Sequence, residues 1–122
     1  MEEEPTTEMT IDIERTGDRC IIRLKGEFRS GADIGYLRAK FEGIKALGPR
    51  EIVADLSGVS SMGSSGIGFI VGLYTSVIKK PGGRFVMAGA NPRVKEVFAV
   101  TNVDTVISSA DTVESALAAL AG

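Results

Sequence analysis

Ile52-Val53-Ala54-Asp55-Leu56-Ser57-Gly58-Val59-Ser60-Ser61-Met62-Gly63-Ser64-Ser65-Gly66-Ile67-Gly68 is the stretch on which the fold turns. It opens on three apolar residues, Ile52 to Ala54, a short run that suits a strand buried on both faces of a parallel sheet. It continues through what reads as a polar loop from Asp55. It ends on two adjacent hydroxyls, Ser64 and Ser65, that lead an apolar helix running to Lys79. Strand, loop and helix in that order are the unit of an α/β layered domain. In an open α/β sheet the loop at a strand's carboxyl end is where ligands and partners usually sit.

The flanking sequence repeats the theme. Upstream, Ile11 and Ile13 alternate with Asp12 and Glu14, and Cys20, Ile22 and Leu24 alternate with Arg19, Arg23 and Lys25. Both are period-two strand patterns with one wet face. A two-residue loop at Thr16-Gly17 would pair Glu14 with Arg19 and Ile13 with Cys20, keeping the apolar residues on one face. A three-residue loop would mix the faces. Cys20 is then a buried core thiol. Ile34, Leu37, Phe41 and Ile44 follow at helical spacing, ended by Gly48-Pro49. Downstream, Pro81-Gly82-Gly83 closes the Ser64–Lys79 helix, and Phe85 to Ala88 reads as another buried strand. Asn91-Pro92 is an N-cap and first-turn proline before a helix carrying Val94, Val97 and Phe98. Val106-Ile107 reads as a short last strand. Asp111 with Glu114 resembles a capping box for a last helix with Leu117 and Leu120. The predicted order is ββαβαβαβα: a single α/β domain over residues 9–122, with a mixed central sheet (amino-terminal hairpin plus parallel strands) covered by about four helices. Residues 1–8 read as a disordered acidic leader.

Composition removes whole classes of function. The chain has 122 residues, 43% hydrophobic and 25% charged, with Lys+Arg 14 against Asp+Glu 16. That is one globular domain, with no basic excess for a nucleic-acid backbone. Histidine is absent and there is one cysteine. Ser-His-Asp and Cys-His triads, internal disulfides and an ordinary zinc cage therefore fall away. No metal or cofactor is expected. The amino terminus lacks a signal peptide's basic and apolar regions. The uncharged run Met62 to Ile78 carries four glycines and falls short of the ~20 apolar residues of a bilayer span. A cytoplasmic protein without a membrane span is expected.

The Ser64 segment admits two readings on residue types alone. Ser64 can be a plain helix N-cap, or a functional hydroxyl. Nucleotide loops fail on spacing: Gly66, Gly68 and Gly72 do not match the dinucleotide fingerprint, and no Gly-Lys-Ser/Thr closes a P-loop. No nucleophile elbow surrounds Ser65. In the helix, Ile67, Ile70, Val71, Tyr74, Val77 and Ile78 read as the core-facing stripe. The other side holds Ser65, Gly68, Gly72, Thr75 and Ser76 beside Phe69 and Leu73, with no charge before Lys79. A solvent-facing helix side normally carries Glu, Lys and Arg, so something packs there: a partner, or a neighbouring helix of the same domain.

The whole pattern from about Met9 to Leu120 resembles the STAS domain family, most closely bacterial anti-sigma factor antagonists. The resemblance rests on Gly26-Glu27-Phe28, Asp55-Leu56-Ser57, Met62-Gly63-Ser64-Ser65-Gly66-Ile67-Gly68 and Asn91-Pro92-Arg93-Val94. It implies a non-enzymatic partner switch. The unphosphorylated protein would bind an anti-sigma factor that is also a GHKL-type serine kinase. That kinase would phosphorylate Ser64 and end the binding, and a PPM-type phosphatase would restore it. The implied partner-binding residues are Arg29, Met62, Gly63, Ser65, Gly68, Phe69, Gly72 and Leu73. Two positions depart from the family pattern: Gly63 and Arg29 stand where aspartates are usual, leaving the local field less negative. The resemblance also admits a constitutive STAS interaction module of a signalling scaffold or lipid-transport complex, with Ser64 only a cap. A third reading is a small-ligand or nucleotide module using the helix N-terminus as an anion site.

Overall fold

The structure, a computed structural model, describes residues 9–28 and 33–121. Strands β1 (Thr10–Thr16) and β2 (Arg19–Phe28) form the hairpin. Then follow α1 (Ile34–Leu47), β3 (Glu51–Met62), α2 (Ser64–Ile78), β4 (Arg84–Ala88), α3 (Pro92–Val100), a short 3-10 turn (Val103–Thr105), β5 (Ser108–Ala110) and α4 (Val113–Ala121). The five-stranded sheet has the order β1-β2-β3-β4-β5. Only β1 and β2 pair antiparallel; β2 to β5 are parallel. The expected element order and mixed sheet hold.

Helices α1, α2 and α3 cover one face. There Ile22, Leu24, Phe28, Ile52 and Leu56 of the sheet meet Leu37, Ile44, Phe69, Ile70, Leu73, Val94 and Phe98. Helix α4 covers part of the other face, packing Ala116 and Leu120 on Val53, Val86 and Ala88. Ile52, Val53 and Ala54 are buried from both sides, as their apolar run suggested. Cys20 is buried and free. Its burial pushes the thiol's pKa up.

Four local expectations are corrected. The hairpin loop is Gly17-Asp18, so Thr16 faces Arg19, Ile13 faces Ile22 and Glu14 faces Ile21. The first central residue of this turn, Gly17, takes φ +61°. A frame starting at Thr16 would force that conformation on a β-branched residue. A two-place slip preserves side-chain parity, so the apolar faces still agree. Secondly, β3 continues to Met62 through the residues read as a loop. Its pairing with β2 shifts between Arg23 and Lys25 and again between Gly26 and Glu27. These bulges break the alternation that marks a strand in sequence. Thirdly, β5 is Ser108–Ala110, while Val106 lies exposed after the 3-10 turn. Fourthly, the last helix is capped by a Thr112–Ser115 box, in place of Asp111–Glu114. The Ser115 N–H donates to Thr112 Oγ1 at 3.0 Å and the Thr112 N–H donates to Ser115 Oγ at 3.1 Å. The α3 cap is as expected: Asn91 accepts from the Val94 N–H at 2.8 Å, with Pro92 in the first turn.

Candidate functional site

The amino end of α2 stands where the carboxyl ends of β2 and β3 meet. Phe28 pairs with Met62, and the Gly63 N–H donates to the Phe28 carbonyl at 2.5 Å. Gly63 is the N-cap, its backbone extended, and its carbonyl accepts the first helical bond from Ile67 at 3.0 Å. Ser64 is thus the first helical residue and not the cap, which corrects the simplest structural reading of it. It is exposed, and Ser65 is half-buried. Two residues on, Gly66 is buried. A β-carbon there would stand 2.8 Å from Phe28 Cβ and 3.2 Å from the Phe28 carbonyl oxygen. The missing side chain lets α2 press onto β2, and that contact fixes where Ser64 is presented.

The residues expected to meet a partner divide into three groups. Gly63, Ser65, Gly68 and Gly72 remain at least partly accessible. Met62, Phe69 and Leu73 are buried, a correction: their side chains belong to the domain's own core. Arg29 lies outside the described residues, as does the leader 1–8. The phase of α2 explains the correction. Its buried positions are Gly66, Phe69, Ile70, Leu73 and Val77. From the expected stripe, Ile70 and Val77 are buried, Ile67 and Tyr74 half-buried, and Val71 and Ile78 exposed at 37% and 45%. The helix is apolar nearly all round, so two adjacent phases fit the sequence equally well.

Gly68 faces open space, with no atom within 4 Å of an added β-carbon. At Gly72 the same β-carbon would lie 3.1 Å from Phe41 Cε1 of α1. A neighbouring helix of the domain therefore covers the Gly72 side, and α2 is exposed at Ser64, Gly68, Val71, Thr75 and Ile78. Between the two helices runs a groove of about 370 Å³, bordered by Ile34, Leu37, Phe41, Ser65 and Gly68, with Arg38 and Glu42 of α1 also on its wall. Ile34 at its edge is 53% exposed, a position that helical spacing alone assigned to the core.

Electrostatics separate this end of the molecule from the rest. Helix α2 has no acidic residue in its first turn and no charged residue among its 15. On the sheet face beside α4, Asp55, 8% exposed, is held in place. Its carboxylate accepts from Arg23 at 3.0 Å, from the Ser57 N–H at 3.0 Å and from Ser57 Oγ at 2.8 Å. These bonds tie β2 to β3 where the register between the two strands shifts. Among the described residues no group of three His, Cys, Asp or Glu is placed to hold a metal ion.

The model of the STAS domain matches residues 10–116. The chain belongs to the STAS domain family. A Thermotoga neapolitana protein named as an anti-sigma factor antagonist is 36% identical over 75 residues, 62% of this chain and 66% of the relative. The match thus spans just under two thirds of that relative's length. An anti-sigma factor antagonist from Mycobacterium paratuberculosis has the same fold, with TM-score 0.83 at 20% identity, covering 98% of this chain and all of the other. The Bacillus cell fate determinant SpoIIAA, solved in its phosphorylated form, aligns with TM-score 0.67 at 26% identity over 91% of this chain and 99% of its own. In this STAS domain, the parts that reach the surface together are an exposed serine, an uncharged helix and an open groove. No described helix is long and apolar enough to cross a membrane.

Proposed function

We propose that this STAS domain is an anti-sigma factor antagonist of the partner-switching kind, working in the cytoplasm and without catalysis of its own. The amino end of α2 binds an anti-sigma factor that is also a GHKL-type serine kinase. Phosphorylation of Ser64 ends the contact, and a PPM-type phosphatase renews it. The observation that carries this reading is the exposed Ser64 on the first turn of an uncharged helix, held by the Gly63–Phe28 bond. The names borne by its relatives and the phosphorylated state of the Bacillus protein support it.

The physics of release follows from that surface. A phosphate on Ser64 would add about −1.5 to −2 charges at neutral pH. With no acidic residue in the first turn, the helix dipole favours the anion by roughly 0.3–1 kcal/mol, so the fold tolerates it. The partner does not. A partner surface fitted to the glycines, hydroxyls and aliphatic groups of α2 brings no cation to a doubly charged group, and burying that group unpaired is costly. Release is therefore steric and desolvating, with no change of fold.

Mass spectrometry of the protein isolated from its own cells, paired with binding of wild type, Ser64→Ala and Ser64→Glu to the anti-sigma factor, tests the proposal. Phosphate on Ser64, binding by Ser64→Ala and loss with Ser64→Glu are expected. An unmodified Ser64 and equal binding by all three would instead support the constitutive module. Purified protein is expected to hydrolyse neither ATP, GTP nor simple esters. A turnover that vanishes in Ser64→Ala would refute the non-enzymatic part.

A further inference from the structure

Helices α3 and α4 lie on opposite faces of the sheet, although the strands that lead into them, β4 and β5, are neighbours. The loops leaving the carboxyl ends of these two strands therefore part, one toward each face. In an open α/β sheet such a parting is where ligands bind. Here it leaves a crevice of about 250 Å³, lined by the buried Met87, Ala88 and Phe98. Its walls are tied down. The Gly89 N–H donates to the Ala110 carbonyl at 3.2 Å, joining the two strand ends. Asn91 Nδ2 donates to the Val59 carbonyl at 2.9 Å, and the same side chain caps α3.

The polar lining comes from Lys95 of α3, Asp104 of the 3-10 turn, Ser109 of β5 and Asp111 just beyond it. Among the described residues, none of these four side chains makes a hydrogen bond or an ion pair. Elsewhere on the sheet opposite charges close on each other, as in Arg19–Glu51 at 2.9 Å and Arg23–Asp55 at 3.0 Å. Around the crevice they stand apart. Asp111 is also spared the capping of α4, which Thr112 and Ser115 perform. Lys95 stands near the amino end of α3, whose first turn holds no acid, so a negative group beside it meets the ammonium and the helix dipole together. We propose that the crevice binds a basic amino acid such as lysine, ornithine or arginine. One ammonium and two carboxylates on the lining complement a ligand with one carboxylate and two cationic groups. The ligand's carboxylate pairs with Lys95, its two cations pair with Asp104 and Asp111, and its methylene chain lies on Met87 and Phe98. The volume suits a molecule of that size, being below the about 300–1,000 Å³ of sites for drug-sized ligands. The crevice is separate from Ser64, which sits where β2 and β3 end.

Amide-shift titration of the isotope-labelled full chain with L-lysine, L-ornithine and L-arginine, from micromolar to tens of millimolar, tests this. Saturable shifts are expected at Ala90, Lys95, Ser109 and Asp111. Cadaverine lacks the carboxylate and ε-aminocaproate lacks the α-amino group. Each should bind about fivefold more weakly than L-lysine, the worth of one partly exposed ion pair. Lys95→Met should bring L-lysine down to the level of cadaverine and leave cadaverine itself unchanged. Asp104→Asn and Asp111→Asn should each weaken L-lysine by a similar factor. All three positions are exposed, so the thermal melts of these variants should match wild type. No saturation by any of the three amino acids, cadaverine binding as tightly as L-lysine, or shifts centred on Ser64 would each overturn the proposal. Saturation at Lys95 by inorganic phosphate, with none by the amino acids, would overturn it in favour of a plain anion site.

Discussion

Replacing Gly66 by alanine probes how α2 is seated. The new β-carbon would overlap Met62 Sδ of β3 and stand 2.8 Å from Phe28 Cβ and 3.2 Å from the Phe28 carbonyl oxygen, so the Met62 side chain would have to move and helix and strand to separate. Overpacking of this kind costs about 1–3 kcal/mol. Alanine's better helix propensity offsets it by about 0.8–1 kcal/mol. The net expectation is a loss of up to about 2 kcal/mol, or several degrees of Tm for a domain of this size. Gly68→Ala is the internal control, because it carries the same propensity gain with nothing in its way. It should raise stability by about 0.5–1 kcal/mol. Gly72→Ala should fall between them, since Phe41 lies 3.1 Å from the added carbon and need shift only slightly. Thermal melts and urea titrations of the three variants, two or more residues apart on one helix, settle the ranking. If Gly66→Ala were as stable as Gly68→Ala, α2 would not be pressed onto β2, and the account of how Ser64 is positioned would fail. The separation should also displace Ser64, so Gly66→Ala is expected to weaken anti-sigma factor binding where Gly68→Ala keeps the fold unchanged.

Other expectations follow from the same structure. Ser64→Glu should stabilise the fold by roughly 0.3–1 kcal/mol through the helix dipole, with the gain shrinking as salt is added; a loss independent of salt would contradict it. Asp55→Ala removes the acceptor for Arg23 and for two donors of Ser57 and should cost about 2–3 kcal/mol in urea unfolding, with wild-type stability refuting its role. Cys20 binds its proton more tightly folded than unfolded, because burial raises its pKa. Its contribution to stability is thus full below the unfolded thiol's pKa and is lost as pH rises through the folded value. Thiol reagents should label Cys20 only on unfolding, and stability should decline on the alkaline side; rapid native labelling at neutral pH would refute its burial.

Much of this was legible in the residues alone. Period-two and helical spacings, the Gly48-Pro49 break and the Asn91-Pro92 cap fix an ordered series of elements, because each signal is local and physical. The absence of histidine likewise limits chemistry without any coordinates. What the sequence could not decide was phase and register. Gly17 selects the hairpin frame only once the backbone shows which residue must take positive φ. The extension of β3 through Asp55–Met62 depends on bulges opposite β2, whose partners lie more than thirty places away in the chain. Above all, α2 is apolar nearly all round, so the sequence could not say that Phe69 and Leu73 turn inward while Val71 and Ile78 turn out. The close approach of Phe28 to Gly66 sets that rotation. It is a contact between distant segments, and only the tertiary structure could decide it.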